Sequence, residues 1–472
     1  MSIKAVLGCL YGDEGKAKII DVLASEMDVI VRFQGGSNAG HTIQFENQKF
    51  ILHLIPSGIF HKNQICILAA GVVIDPFQLE IEIQSLLEKS FQIEDRFFID
   101  ERATIVLPIH KELDAINESL SEAKKIGTTK RGIGPAYADS VSRIAIKIYD
   151  LQNKDILKDK IEFIYKFHQI ELPFDNLMYQ VDGLYNFGQK YKNCFINLPY
   201  KIDTLIKENK KILFEGAQGS LLDVYFGTYP FVTSSHTIAG GIAASVGFSP
   251  KKIDEIIGVY KSYFTRVGEG PFPTELFDDI GKRIQKQGHE FGSTTGRPRR
   301  CGWFDAVAAR YTTMINGIDS IALTLLDVLS GIETLKICVG YETNDKLHIT
   351  NHKSDKELQV TSFKLQDAPP LPPFLIDNGQ WIMDNYPSSI INYQLNKGGQ
   401  IVSDFPSDSS ILYNVKPVYL EMPGWTEDIT KCKSYDELPS NAKAYVKKIE
   451  ELLLVPVKII SVGPFREQTI FR

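Results

Sequence analysis

The chain opens on an apolar run at 3–9, centred on Ala5, Val6 and Leu7, followed by a glycine-punctuated turn and the helix-like Ile19-Ile20-Asp21-Val22-Leu23. That order predicts a βα unit. A second short run, Val29-Ile30-Val31, leads into Gln34-Gly35-Gly36-Ser37-Asn38-Ala39-Gly40-His41. Further buried-type runs recur at 65–70, 97–99, 212–214, 321–324 and 335–339, separated by amphipathic stretches. Such alternation predicts an α/β fold with a large central, mostly parallel sheet and helices on its faces. The stretches 78–125 and 150–210 read as helical insertions. Near 345–410 the periodicity fades into a polar segment carrying Asp367-Ala368-Pro369-Pro370-Leu371-Pro372-Pro373. That string suits either a rigid surface insertion or a polyproline ligand for an SH3-type partner. Beyond it, Ser440 or Asn441 can cap a helix through Leu454, followed by a strand at 457–462. No internal repeat interrupts 1–472, which reads as one domain.

Composition narrows the class. With 472 residues, 43% hydrophobic and 23% charged, the chain can bury a core without disulfide staples. Disordered, collagen-like and coiled-coil classes are excluded. A net charge of −6 lacks the basic excess that coating a nucleic acid requires. Cys9, Cys66, Cys194, Cys301, Cys338 and Cys432 form no CxxC pair. Their scatter suits a reducing compartment better than a zinc site or a disulfide framework. No signal-peptide pattern follows Met1, and no apolar run reaches the ~18 residues of a membrane helix. The expectation is a soluble, cytoplasmic protein.

Several loops carry residues suited to chemistry. Gly12-Asp13-Glu14-Gly15-Lys16-Ala17-Lys18 sits at a strand-to-helix junction, where converging N–H groups and the helix N-terminus favour an anion. Lys16 would add a point charge for β/γ-phosphates. Walker A spacing fails, because Leu10 stands at its first Gly and Ala17 at its Ser/Thr. The loop is therefore either a phosphate cradle or a plain βα turn. Asp13 either caps the helix or faces the phosphates through a divalent cation such as Mg²⁺. His41, beside Gly40 and Thr42, either donates to a leaving phosphate oxygen or is structural. Gly127-Thr128-Thr129-Lys130-Arg131-Gly132-Ile133-Gly134-Pro135 and Glu215-Gly216-Ala217-Gln218-Gly219 also combine polar side chains with turn residues. Ser293-Thr294-Thr295-Gly296-Arg297-Pro298-Arg299-Arg300 sets hydroxyls beside guanidinium forks, which match carboxylates and phosphates; the alternative is a solvated charged face. Unaided, these residues describe a nucleotide- and carboxylate-handling α/β enzyme.

Taken together, the loops resemble the adenylosuccinate synthetase family over nearly the whole chain. The resemblance runs through 12–18, 34–42, His53-Leu54-Ile55-Pro56-Ser57-Gly58, 127–143, 214–241, 266–275 and 291–305. Asp327-Val328-Leu329-Ser330-Gly331, Met422-Pro423-Gly424-Trp425 and Gly463-Pro464 continue it. It implies a P-loop NTPase-like α/β fold and GTP-dependent ligation of IMP and L-aspartate through 6-phosphoryl-IMP. It assigns catalysis to Asp13, Lys16, His41 and Gln218, and Mg²⁺ to Asp13 and the Gly40 carbonyl. IMP would meet Asp13, Glu14, Gly15, Lys16, Asn38, Ala39, Gly40, His41, Thr129, Gln218, Thr233 and Arg297, with Arg143 reaching in from a second subunit of a homodimer. Aspartate would meet Ser293, Thr294, Thr295, Gly296, Arg297, Pro298 and Arg299. GTP would meet 12–18 (Gly12, Asp13, Glu14, Gly15, Lys16, Ala17, Lys18), Gly40, His41, Thr42, Arg299, Leu325, Leu326, Asp327, Ser461, Val462 and Gly463.

The chain departs from the family pattern at Leu10-Tyr11 (usually Gln-Trp), Ala17 (Gly), Tyr225 (Asp), His236 (Asn), Leu325 (Lys) and Phe465 (Asp). These changes motivate a second reading, a paralogue with another triphosphate donor or purine acceptor. A third is a nucleotide-binding regulator without catalysis, which the retention of Asp13, Lys16, His41, Arg297 and Arg299 opposes.

Overall fold

The computed structural model describes residues 2–45, 48–119, 127–292, 296–343 and 400–472. Ten strands form the main sheet: β1 (Ile3–Gly8), β2 (Val29–Arg32), β3 (Ile65–Leu68), β4 (Phe97–Asp100) and β5 (Phe195–Ile196). The rest are β6 (Ile212–Glu215), β7 (Glu255–Lys261), β8 (Ser320–Thr324), β9 (Val457–Ser461) and β10 (Thr469–Phe471). Their spatial order is β5-β4-β3-β2-β6-β1-β7-β8-β9-β10. All neighbours are parallel except β10, which closes the edge antiparallel to β9. The chain thus grows outward from β2 to β5, returns to insert β6 beside β1, and grows the other way from β7.

A parallel sheet covered on both faces needs apolar residues on both, which is why its strands read as unbroken apolar runs. Val6, Ile30 and Leu213 point to one core, where helix α1 (Lys16–Ala24) buries Ala17, Ile19, Ile20 and Leu23. Ala5, Leu7, Val29, Val31 and Phe214 point to the other, against Leu198, Ile202, Ile242 and Val246.

Some expectations change. The run at 335–339 belongs to the strand Thr334–Thr343, which lies outside the main sheet and pairs antiparallel with Lys416–Pro423 and Gln400–Val402. An apolar run reports burial but does not name its neighbour. Most of the polar insertion at 345–410, including its Pro-rich string, falls in 344–399 and lies outside the described residues; the described strands on either side pair at Thr343 and Gln400. The stretch 150–210 is helical at Lys154–Phe167, Phe174–Lys190 and Leu198–Lys207 but also supplies edge strand β5. Within 78–125, the helices Pro76–Glu88 and Pro108–Ser119 flank β4, and 120–126 lie outside the described residues. At the helix Ser440–Leu453 the N-cap position is Pro439 and no side chain caps it. Asn441 instead donates Nδ2 to the Gly424 carbonyl at 2.6 Å.

Candidate active site

The carboxyl ends of β1, β2, β6, β7 and β8 converge on a cavity of roughly 530 Å³, where open α/β sheets hold ligands. The loop after β1 forms one wall. Gly12 and Gly15 have φ of 82° and 81°, a region that a side chain would strain. Gly8 has no room for a Cβ, which would stand 2.4 Å from the Gln218 carbonyl. Glu14, fully buried, accepts N–H groups from Leu10 and Gly12 at 2.9 Å and pairs with Lys16 Nζ at 2.5 Å. Its carboxylate is thereby used to fold the loop, and Glu14 does not line the cavity.

Asp13 does line it, in a left-handed conformation (φ 59°). It does not cap α1, whose N-cap position is Gly15. Asp13 Oδ2 accepts from Arg299 Nε at 2.8 Å, while the other end of the guanidinium donates to Glu290 Oε2 at 2.7 Å. Glu290 is fully buried and also receives Lys261 Nζ at 2.8 Å and the Tyr263 hydroxyl. Burial works against the Glu290 charge, but Lys261 and Arg299 hold its carboxyl below the usual range. Burial also opposes the Arg299 charge, and Asp13 with Glu290 holds it above its usual value. The result is a chain of alternating charge from the buried Lys261 to the part-exposed Asp13.

The second loop hangs from the end of β2. Arg32, fully buried, donates to the carbonyls of Gln34 (3.3 Å), Gly36 (2.8 Å), Leu54 (3.2 Å) and His53. This fixes Asn38, Ala39, Gly40, His41 and Thr42 on the cavity wall. His41 Nδ1 lies 2.6 Å from Glu215 Oε1. Burial outweighs that carboxylate and keeps His41 below the ordinary histidine range. Burial would raise Glu215, but His41, Ser57 and Arg32 together hold it below the usual carboxylate range. Gln218, left-handed at φ 56°, donates Nε2 to Asn38 Oδ1 at 3.2 Å, and its buried Oε1 has no hydrogen-bond partner.

At the far end, Leu325 turns left-handed (φ 54°) after β8, and Asp327 follows with a buried Oδ1 that lacks a partner. Burial pushes the Asp327 carboxyl up. Lys18 donates to Ser461 Oγ and the Gly463 carbonyl, both at 2.7 Å, and to the Gln468 carbonyl at 3.0 Å. Burial lowers its ammonium to about 7. Thr324 Oγ1 donates to the Glu14 carbonyl at 2.6 Å, tying β8 to the first loop.

The cavity therefore gathers Gly12, Asp13, Gly15, Lys16, Ala17, Lys18, Thr129, Gln218, Arg297, Arg299, Leu325, Asp327, Ser461 and Gly463 with the second loop. Leu326 and Val462 are buried in the core behind it. Thr233, Gly296 and Pro298 do not line it, and Arg143 is exposed elsewhere on the surface. Ser293, Thr294 and Thr295 lie outside the described residues. Tyr225 and His236 pack edge-to-face at 4.6 Å and stay off the cavity. Sequence reasoning missed Arg32, Lys261 and Glu290, and named Glu215 only as the first residue of a polar loop. Arg32, Glu215 and Lys261 share a legible signal, a charged residue closing an apolar strand, which places the charge at the ligand end of the sheet.

A parallel sheet whose strand ends hold a glycine-rich loop, an aspartate, a histidine and paired arginines around one cavity defines an α/β enzyme that handles phosphate and carboxylate groups. The model of the family described as adenylosuccinate synthetase matches residues 5–369 and 384–470, and the chain belongs to that family. The adenylosuccinate synthetase of Geobacillus kaustophilus is 42% identical over 478 residues, covering 99% of this chain and 98% of its own. That of Caldanaerobacter subterraneus is 43% identical over 481 residues, covering 100% and 99%. The structure of the fully ligated enzyme from Plasmodium falciparum superposes with a TM-score of 0.84 at 37% identity, covering all of both chains. The family is one of GDP-forming ligases, and this member joins IMP to L-aspartate with GTP to form adenylosuccinate, a reaction of purine biosynthesis. The paralogue and regulator readings yield to that one. Among the described residues no helix is long and apolar enough to cross a membrane.

Proposed function

We propose that the cavity performs the ligation in two displacements, with Asp13, Lys16, His41 and Gln218 as its catalytic residues. The observation that carries this is the convergence of those four on one cavity with Asp327 at its far end. Asp13 takes the N1 proton of IMP, and O6 attacks the γ-phosphorus of GTP. The O6–P bond forms as the bond to the β,γ-bridging oxygen breaks, and GDP leaves. His41 meets that bridging oxygen and Lys16 the charge on the phosphates. The aspartate amine then attacks C6 and phosphate departs with the original O6. Phosphorylation is needed because an oxo group leaves poorly.

Asn38, Ala39, Gly40, Thr129, Gln218 and Arg297 hold IMP; Arg297 and Arg299 close on the aspartate carboxylates. The guanine meets Asp327 beside Leu325, with Ser461 and Gly463 completing the pocket. Mg²⁺ fits the donor set: Asp13 Oδ1 accepts no hydrogen bond among the described residues, and the Gly40 carbonyl adds a second hard oxygen. Bound there, the ion would neutralise phosphate charge.

The catalytic unit is a homodimer in which the exposed Arg143 reaches the partner's IMP. The six free thiols support a cytoplasmic location. Residues 1–472 act as one unit.

The test is product formation from IMP, L-aspartate and Mg²⁺, with GTP and ATP in parallel. Adenylosuccinate is expected with GTP alone. Turnover with ATP would overturn the assignment of guanine to Asp327 beside Leu325, and no product with either donor would overturn the mechanism.

A further inference from the structure

Strand β6 ends its apolar run with Glu215, whose side chain is fully buried. An ionised carboxylate is costly to bury unless it is paired, so its partners indicate its purpose. Oε2 accepts the Ser57 N–H at 2.9 Å, and Oε1 accepts the Ser57 hydroxyl at 3.0 Å. Arg32 is nearby, but its guanidinium donates to four backbone carbonyls. The remaining contact is Oε1 to His41 Nδ1, at 2.6 Å. Both carboxylate oxygens are already accepting hydrogens and have none to offer, so the hydrogen in that contact belongs to the ring. Neither His41 nitrogen makes a well-aligned hydrogen bond among the described residues, but Nδ1 is held by the close Glu215 contact while Nε2 has no such neighbour, and the ring lines the cavity.

We propose that Glu215 is a positioning residue for phosphoryl transfer, fixing the His41 ring with hydrogen on Nδ1 so that Nε2 is the nitrogen presented to the triphosphate. This rests on the ligase reading of the site. A carboxylate behind a histidine also balances the ring when its far nitrogen shares a proton with an anionic oxygen.

The geometry makes Glu215→Gln a sharp probe, because the Ser57 N–H is an obligate donor. The amide oxygen must turn to it, which aims the amide NH₂ at His41 Nδ1. That nitrogen must then accept, and the ring hydrogen moves to Nε2 in a side chain of unchanged shape.

Two measurements on the full-length protein decide the matter. In ¹⁵N-histidine spectra at one fixed pH, with His41 assigned by the loss of its signals in His41→Asn, Nδ1 is expected to carry the hydrogen in the wild type and Nε2 in Glu215→Gln. In steady-state assays Glu215→Gln should lower kcat on the order of 10²–10³-fold with KM for IMP and GTP within about threefold. Glu215→Asp, which keeps an acceptor, should recover part of the loss. Hydrogen on Nε2 in the wild type would overturn the proposal, as would a Glu215→Gln kcat within about twofold of wild type or a parallel fall in kcat, KM and Tm that marks a merely structural residue. The spectra need no turnover. An inactive wild type therefore defeats the ligase reading alone, whereas an active wild type with an unaffected Gln variant defeats only the role of Glu215.

Discussion

Asp13 is held in a backbone conformation that disfavours any side chain, at a cost of ~1–3 kcal/mol. A glycine there would relieve the strain, so the carboxylate has a chemical use. One oxygen is anchored by Arg299 and the other is left for the substrate side. Replacing it removes the proposed base without uncovering a buried partner, because Arg299 keeps Glu290. Asp13→Ala and His41→Asn are therefore expected to lower turnover by ~10³-fold or more while leaving the thermal midpoint within a few degrees of wild type. Rates near wild type would remove both residues from the mechanism.

At the scale of elements, Asp305 shows how a buried charge times stability. It starts the helix Ala306–Asn316, accepting N–H groups from Val307 (3.0 Å) and Ala308 (3.1 Å), and takes the Tyr341 hydroxyl at 2.6 Å. Burial raises its carboxyl from 3.8 to about 6. Between those values the folded chain keeps a proton that the unfolded chain has released. The contribution of this group is thus full below pH 3.8 and declines as pH rises to about 6. Asp305→Asn retains the cap and can donate Nδ2–H to Tyr341. Chemical denaturation across that range should show wild type losing on the order of 2 kcal/mol relative to the variant; parallel curves would refute it.

The same scale shows what was legible beforehand. β1, β2, β3, β4, β6 and β8 could be read because a sheet buried on both faces writes itself as apolar runs. Phe195–Ile196 is too short to stand out, and Leu335–Val339 gave its burial but not its sheet. Gly12, Gly15 and Gly40 marked their loops because tight turns call for particular residues. Glu290 stayed hidden, since its pairing with Lys261 and Arg299 exists only once β7 and the segment before Arg299 meet.

For the whole molecule, the position of Arg143 outside its own cavity carries the largest prediction. If it completes the partner's site, Arg143→Ala and Asp13→Ala chains, each nearly inactive alone, regain activity when mixed. Random assortment in a two-fold dimer leaves one intact site in each mixed pair, so about a quarter of wild-type activity should return. No recovery after subunit exchange, verified by mass, would confine Arg143 to its own chain.

Lys18, from the first helix of the chain, takes its acceptors from residues 461–468, about as far away in sequence as two residues of this protein can be. A growing polypeptide folds from its N-terminal side as it leaves the ribosome. The glycine-rich loop therefore emerges early but lacks the wall that receives its lysine until β9 and the turn after it have been made. A product cut short by a premature stop or a nick before Ser461 carries every proposed catalytic side chain and still has half of its guanine pocket missing. Translation errors in this protein should yield inert fragments and spare the cell enzymes that burn GTP without making product.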